Sequence, residues 1–135
     1  MTRQHARERM MQIIYQLDVN NEFDVDFEEQ YLGSLDTGKQ NEYCQNIFSL
    51  VCNKKNEIDK AITENCRNWT IKRMPKTDLA VLRLAVCEIL FMDTMPDSVS
   101  INEAVELAKK YGEDKSSSYI NGILGTISKS KDNDD

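Results

Sequence analysis

The sequence predicts an all-α protein of about six to seven helices, and three observations carry that reading. Asp78 to Met92, DLAVLRLAVCEILFM, is a run of strong helix formers with almost no polar face. Outside it, apolar residues recur at helical spacing, and no stretch reads as a strand. Gly and Pro are scarce, at five and two residues, while Leu, Ile, Ala, Glu and Lys carry the pattern. The 135 residues fit one domain with a core of its own.

The first helix is expected from about Thr2 to Asp18, on the stripe Ala6, Met10, Ile13, Ile14 and Leu17, with Asn20 and Asn21 ending it. Arg3 and Arg7 share one edge of that stripe, and Arg9 projects near the other. A shorter helix is expected from Asp24 to Leu32, with Phe23, Phe27 and Tyr31 to one side; Gly33 and Gly38 then bracket a loop. From Lys39 to about Arg67 the pattern is helical again, with stripes at Cys44, Ile47, Phe48, Val51 and at Ile58, Ile62, Cys66. Asn53-Lys54-Lys55-Asn56 contains no apolar residue, so it is either an exposed turn of one long helix or a break between two.

Trp69 anchors a non-helical link that ends at Met74-Pro75, because the residue before a proline disfavours the helical region. Thr77 is the expected cap of the central helix. In that helix Leu79, Leu82, Val86 and Leu90 fall on one side, and Val81, Leu84 and Met92 on the other. The run is shorter than the ~20 residues of a membrane span, and Arg83 and Glu88 interrupt it. A buried core helix follows, with two charges that need partners. Five positions place them about 140° apart, so they do not pair with each other. Arg83 is expected to bond a carboxylate of the next helix, Glu103 or Glu106.

Pro96 marks the next break, and Ser100-Ile101-Asn102-Glu103 has the S-x-x-E form of a capping box. The helix it opens carries Ile101, Ala104, Val105, Ala108 and Tyr111, and Gly112 stops it. A polar loop, Glu113 to Ser117, leads to a last helix with Ile120, Ile123, Leu124 and Ile127 facing inward; the chain frays beyond Ser130.

A net charge of −6 argues against nucleic-acid binding by the whole surface. The charge is uneven, however. Arg3, Arg7 and Arg9 crowd the amino end against Glu8 alone, whereas Asp18 to Asp36 and the tail are acidic. A basic end on an acidic protein points to a confined anion site. Cys44, Cys52, Cys66 and Cys87 form no C-x-x-C pair and read as reduced, buried thiols of a cytoplasmic protein. A zinc site would need clustered Cys and His, and His5 is the one histidine. No secretion signal, bilayer-spanning run, carboxylate pair, nucleophile or phosphate-cradling glycine loop stands out. The expectation is therefore a non-enzymatic protein without cofactor, metal or membrane partner.

Several motifs carry a family resemblance. They are R-x-x-x-R-E at Arg3 to Glu8 with Gln12 and Tyr15, Trp69-x-x-x-Arg73, D-L-A-V-L-R-L-A at Asp78 to Ala85 with Glu88, V-S-I-N-E-A-V-E-L-A-K at Val99 to Lys109, and Tyr119-Ile-Asn-Gly-Ile-Leu124. Together they resemble the bacterial NusB family of transcription antitermination factors, from Arg3 to about Ser128. The resemblance implies a single domain over 1–131, in two three-helix halves at about 1–67 and 70–131, with an acidic tail at 132–135. It implies pairing with NusE, a small-subunit ribosomal protein, on the single-stranded boxA RNA of nascent ribosomal transcripts. The pair would help assemble an antitermination complex on RNA polymerase. Two other assemblies stay open: a homodimer through the partner face, and a stand-alone NusB-like module in ribosomal RNA processing or ribosome assembly. The same fold is attached to ribosomal RNA cytosine methyltransferases, but this chain has no glycine-rich loop for a nucleotide cofactor.

The resemblance implies roles for particular residues. Arg3 and Arg7 match the arginine-rich end that contributes to RNA binding, and guanidinium forks suit phosphate oxygens. Gln4 and His5 stand where some relatives carry more arginine, and Arg9 is the weaker candidate. Tyr119 matches an aromatic presented to RNA; it lies about 90° from the centre of the Ile120–Ile127 stripe, at an edge where it can stack on a base. Lys115, in Gly112-Glu-Asp-Lys-Ser116, stands where the family usually has an acidic residue: either a local shift gives that role to Asp114, or Lys115 is a candidate phosphate contact, or it is a solvated loop lysine. Asp78 matches an acidic residue at the NusE interface, though an Asp in a first turn also favours its own helix. Asn102, Asn121 and Gly122 are family hallmarks read as structural, the asparagines in buried hydrogen bonds and the glycine at a close helix approach.

Overall fold

The computed structural model describes residues 1–67 and 70–133. Within them lie seven α-helices and no strand: α1 (Arg3–Asn20), α2 (Glu28–Leu32), α3 (Asn41–Asn53), α4 (Lys55–Glu64), α5 (Lys76–Phe91), α6 (Asp97–Tyr111) and α7 (Ser116–Asn133). Short 3-10 turns at Val25–Phe27, Gly38–Gln40 and Ile71–Arg73 lead into α2, α3 and the approach to α5. Trp69, the expected anchor of the link, lies outside the described residues, as do Asp134 and Asp135 of the tail.

Local chemistry explains the ends. The Thr2 hydroxyl accepts from the His5 N–H and caps α1, and Asn21 closes it in the left-handed region at φ 53°. The polar tetrapeptide is a break: α3 ends at Asn53, Lys54 sits between, and α4 begins at Lys55. The expected caps at Thr77 and Ser100 are overturned, because each lies inside its helix. Pro75 and Pro96 occupy the N-cap positions of α5 and α6, where a missing N–H and a preset φ cost nothing. Gly112 ends α6 because of space. A Cβ there would stand 2.7 Å from the Ser116 side chain and 2.8 Å from the Ala108 carbonyl oxygen.

Every residue of α5 from Asp78 to Ile89 is buried. The helix packs against α1, α3, α4, α6 and α7, and the buried hydrophobic residues of all these helices join one cluster around it. The predicted stripes Cys44–Val51 and Ile120–Ile127 lie in this cluster; Cys52 and Cys66 pack half-buried at its margin. No helix among the described residues is long and apolar enough to cross a membrane.

The two α5 charges are paired, and not with each other. Glu88 accepts from Arg7 Nε (3.0 Å), the Tyr43 hydroxyl (2.5 Å) and the Ser100 hydroxyl (2.8 Å). It thereby ties α1, α3 and α6 to α5. Arg83 does not reach Glu103 or Glu106. It forks onto Asp59 of α4, with Nε–Oδ1 at 2.9 Å and Nη2–Oδ2 at 3.0 Å, and its Nη1 lies 3.1 Å from Asp18 Oδ2. The expectation failed because it sought the next helix in sequence. The rotation that aims Glu88 at α6 turns Arg83 toward α4 and the end of α1. Asn102, Asn121 and Gly122 are also corrected: all three are exposed, and a Cβ on Gly122 would meet nothing within 4 Å.

Candidate nucleic-acid interface

Arg7 pairs with Glu88 and Asp18 with Lys76, so α1 runs antiparallel to α5. This sets the layout of the site. Arg3 lies near the carboxy end of α5, while Tyr119 and Lys115 lie near its amino end. Asp78 and Glu88 mark the two ends, about 15 Å of helix apart. The structure therefore does not gather the candidate RNA residues at one spot: Arg3 lies on the flank of α1 that meets α3, and Lys115 and Tyr119 lie at the start of α7.

At the first end, Arg3 is half-buried. Its Nε donates to Gln40 Oε1 at 2.5 Å, and its guanidinium carbon stands 4.2 Å from the centre of the Tyr43 ring. Stacking on an aromatic face holds the fork in place while leaving its edge for an anion. Tyr43 and Gln40 were not legible as part of this site, since both belong to a segment that reads only as core or loop. Arg7 is 6 % exposed; besides Glu88 its guanidinium faces Met95, with Nη2 2.9 Å from Sδ. Its fork is turned inward.

Between the ends runs a polar ladder. Arg9 donates to Gln12, Gln12 donates to the Tyr111 hydroxyl at 3.1 Å, and Tyr111 donates to Glu8 at 2.6 Å. Lys110 also pairs with Glu8, at 2.9 Å. The Tyr111 hydrogen bond, followed by that of Lys110, holds the Glu8 carboxyl below the usual range. Arg9, Gln12, Tyr15, Thr77 and Tyr111 line a groove of about 320 Å³. Tyr15 is 38 % exposed there. Its displacement from the Ala6–Leu17 stripe is the signal of this in the sequence.

At the far end, Lys115 is exposed and Tyr119 half-buried, one turn apart on the same side of the start of α7. Asp78 is 1 % exposed beneath them. Its Oδ2 accepts from the Ser116 hydroxyl at 2.9 Å and from the Tyr119 hydroxyl. Burial, then the hydrogen bond and charge of Asp78, push the Tyr119 phenol well above its ordinary value, so it stays a donor at neutral pH. The surface thus combines cationic groups at both ends with aromatic rings between. Cationic groups and aromatic rings of this kind suit phosphate contacts and base stacking; no group of three or more His, Cys, Asp or Glu among the described residues is arranged to hold a metal.

Known proteins resemble this chain in both sequence and fold. The family model described as the NusB family matches residues 4–129. A transcription antitermination protein NusB from Finegoldia magna is 40 % identical over 134 residues, 98 % of each chain. Its counterpart from Bacillus mycoides is 39 % identical over 128 residues, covering 94 % of this chain and 97 % of the relative. Among solved structures, T. maritima NusB superposes with a TM-score of 0.84 at 30 % identity, over 96 % of this chain and 92 % of its own. A crystal structure of the antitermination factors NusB and NusE in complex with double-stranded RNA gives a TM-score of 0.81 at 24 % identity, over 95 % and 96 %. That last likeness shows a shared fold. The family model and the near-full-length relatives decide the assignment: the chain belongs to the NusB family.

Proposed function

We propose that this protein is an RNA-binding transcription antitermination factor. It pairs with NusE on boxA RNA of nascent ribosomal transcripts and helps assemble an antitermination complex on RNA polymerase. The observation that carries this is the match to transcription antitermination proteins at 40 % identity along 98 % of the chain. The protein works by binding rather than catalysis, in the cytoplasm beside the transcription machinery. Its RNA-contacting residues are Arg3, on the α3 flank of α1, and Lys115 and Tyr119 at the start of α7, with the Tyr15 and Tyr111 groove on the α6 flank. Arg7 and Asp78 serve those residues from beneath. The acidic remainder of the surface favours a basic protein partner and limits RNA to these places.

The test is a fluorescence titration of boxA RNA with the full chain, with and without NusE, at several salt concentrations. The expected result is weak binding alone, markedly tighter binding with NusE, and affinity that falls steeply with salt. Arg3→Ala flattens the salt slope by about one phosphate contact. Affinity indifferent to NusE would refute the pairing mechanism.

A further inference from the structure

Asp78 is a carboxylate in an unusual position. It is 1 % exposed, its Oδ2 takes two hydroxyl donors, and its Oδ1 has no hydrogen-bond partner among the described residues. A buried carboxylate is costly unless it is well paired, and the amino-terminal dipole of α5 offsets part of that cost. Buried this deeply, it does not itself offer a surface to another molecule. Both of its donors come from the first turn of α7, at Ser116 and Tyr119. Ser116 is fixed a second time, because its hydroxyl oxygen accepts from the Glu113 N–H at 3.0 Å.

We propose that Asp78 is a positioning residue for RNA, which anchors the Tyr119 hydroxyl and so holds the half-exposed ring as a pre-oriented stacking platform. The inference rests on the RNA-binding reading above. A tyrosine at a helix edge has two side-chain torsions, and a base that stacks on a loose ring must order both. Bonding the hydroxyl to an acceptor carried by α5 orders them beforehand, and pre-organisation of this kind appears directly as affinity. The phenol is protonated at neutral pH, so the anchor is always available. Lys115, on the same side one turn earlier, is placed to meet the phosphate of a stacked nucleotide. Stacking is tolerant of base identity, so the platform raises affinity without selecting sequence.

A double-mutant cycle on the full chain, titrated with boxA RNA in the presence of NusE, tests this. Tyr119→Phe keeps the ring and the fold but removes the anchor; it is expected to weaken RNA binding about five- to tenfold. Asp78→Ala is expected to do the same, and Asp78→Asn, which keeps an acceptor oxygen, to recover part of the loss. In the Tyr119→Phe background, Asp78→Ala should weaken binding much less than it does in the wild type, the remainder coming from the lost Ser116 bond. A merely structural Asp78 would weaken binding equally in both backgrounds, and that result overturns the proposal, as does wild-type affinity in Tyr119→Phe. NMR of ring-labelled tyrosine in the free protein separates this from the functional reading. One fixed Tyr119 rotamer, averaged by Asp78→Ala, is expected even if boxA proves to be the wrong RNA; an averaged ring in the wild type overturns the positioning role by itself.

Discussion

Replacing Arg7 or Glu88 with methionine separates a structural from an RNA-contacting arginine. Both side chains are almost wholly buried, at 6 % and 2 % exposure, so solvent screening offers little relief. Breaking a buried pair costs about 3–5 kcal/mol, chiefly through the charge left behind. The two replacements leave different things behind. Arg7→Met strands Glu88, which still accepts from Tyr43 and Ser100, and the expected loss is near the low end, about 3 kcal/mol. Glu88→Met leaves the Arg7 guanidinium with Met95 Sδ, the face of Tyr43, 5.9 Å away, and the weaker charge interaction of Glu103, and also leaves the Tyr43 and Ser100 hydroxyls without their acceptor. That loss should reach the upper end, about 5 kcal/mol. The double replacement should cost less than the sum, since neither charge remains. Urea unfolding followed by circular dichroism reads all three. A loss below about 1 kcal/mol for either single variant, or a larger loss for Arg7→Met than for Glu88→Met, refutes the network as described. RNA affinity of the folded fraction adds the functional half: it should fall less with Arg7→Met than with Arg3→Ala.

The packing around α5 and α7 sets three further outcomes. Burial raises the Asp59 carboxyl, but the hydrogen bond and charge of Arg83, with Lys55, outweigh it and leave its pKa below the ordinary 3.8. The Arg83–Asp59 pair therefore contributes fully above that ordinary value, and its contribution is lost as pH falls through the lowered one. Asp59→Asn should flatten the acid limb of a stability–pH curve, and an unchanged limb would contradict the pairing. Burial, then the charge of Glu88, pushes the Cys87 thiol up to about 12, and burial, then the charges of Asp24 and Glu28, pushes the Cys52 thiol up to about 11. Access therefore decides between them: native protein treated with a thiol reagent at mildly alkaline pH should label half-buried Cys66 and Cys52 before the fully buried Cys44 and Cys87. Equal labelling of all four without unfolding would contradict the core. Gly122→Ala should stabilise the protein by about 0.5–1 kcal/mol in a thermal melt, because the position is helical, exposed and open around Cβ.

The helices themselves were legible in the sequence because each is written in local chemistry. Apolar periodicity set α1, α3, α4, α6 and α7, and an apolar girdle set α5 as the buried centre. The motifs from Val99 to Leu124 pointed to the family. Tertiary structure decided which way each polar group turns. Arg3 and Arg7 look alike in sequence, four residues apart on one edge, yet one stacks on Tyr43 at the surface and the other is sealed against Glu88. Asp78 reads as a surface acid at a helix start, and the packing of α7 buries it under Tyr119. Asn102 and Asn121 read as buried and are exposed. The physical reason is common to all of them. Periodicity reports how much of a helix is apolar and on which face, whereas the partner of a charge depends on which helix crosses that face, and at what height. That is settled only when residues far apart in sequence, such as Arg7 and Glu88 or Asp59 and Arg83, are brought within hydrogen-bonding distance.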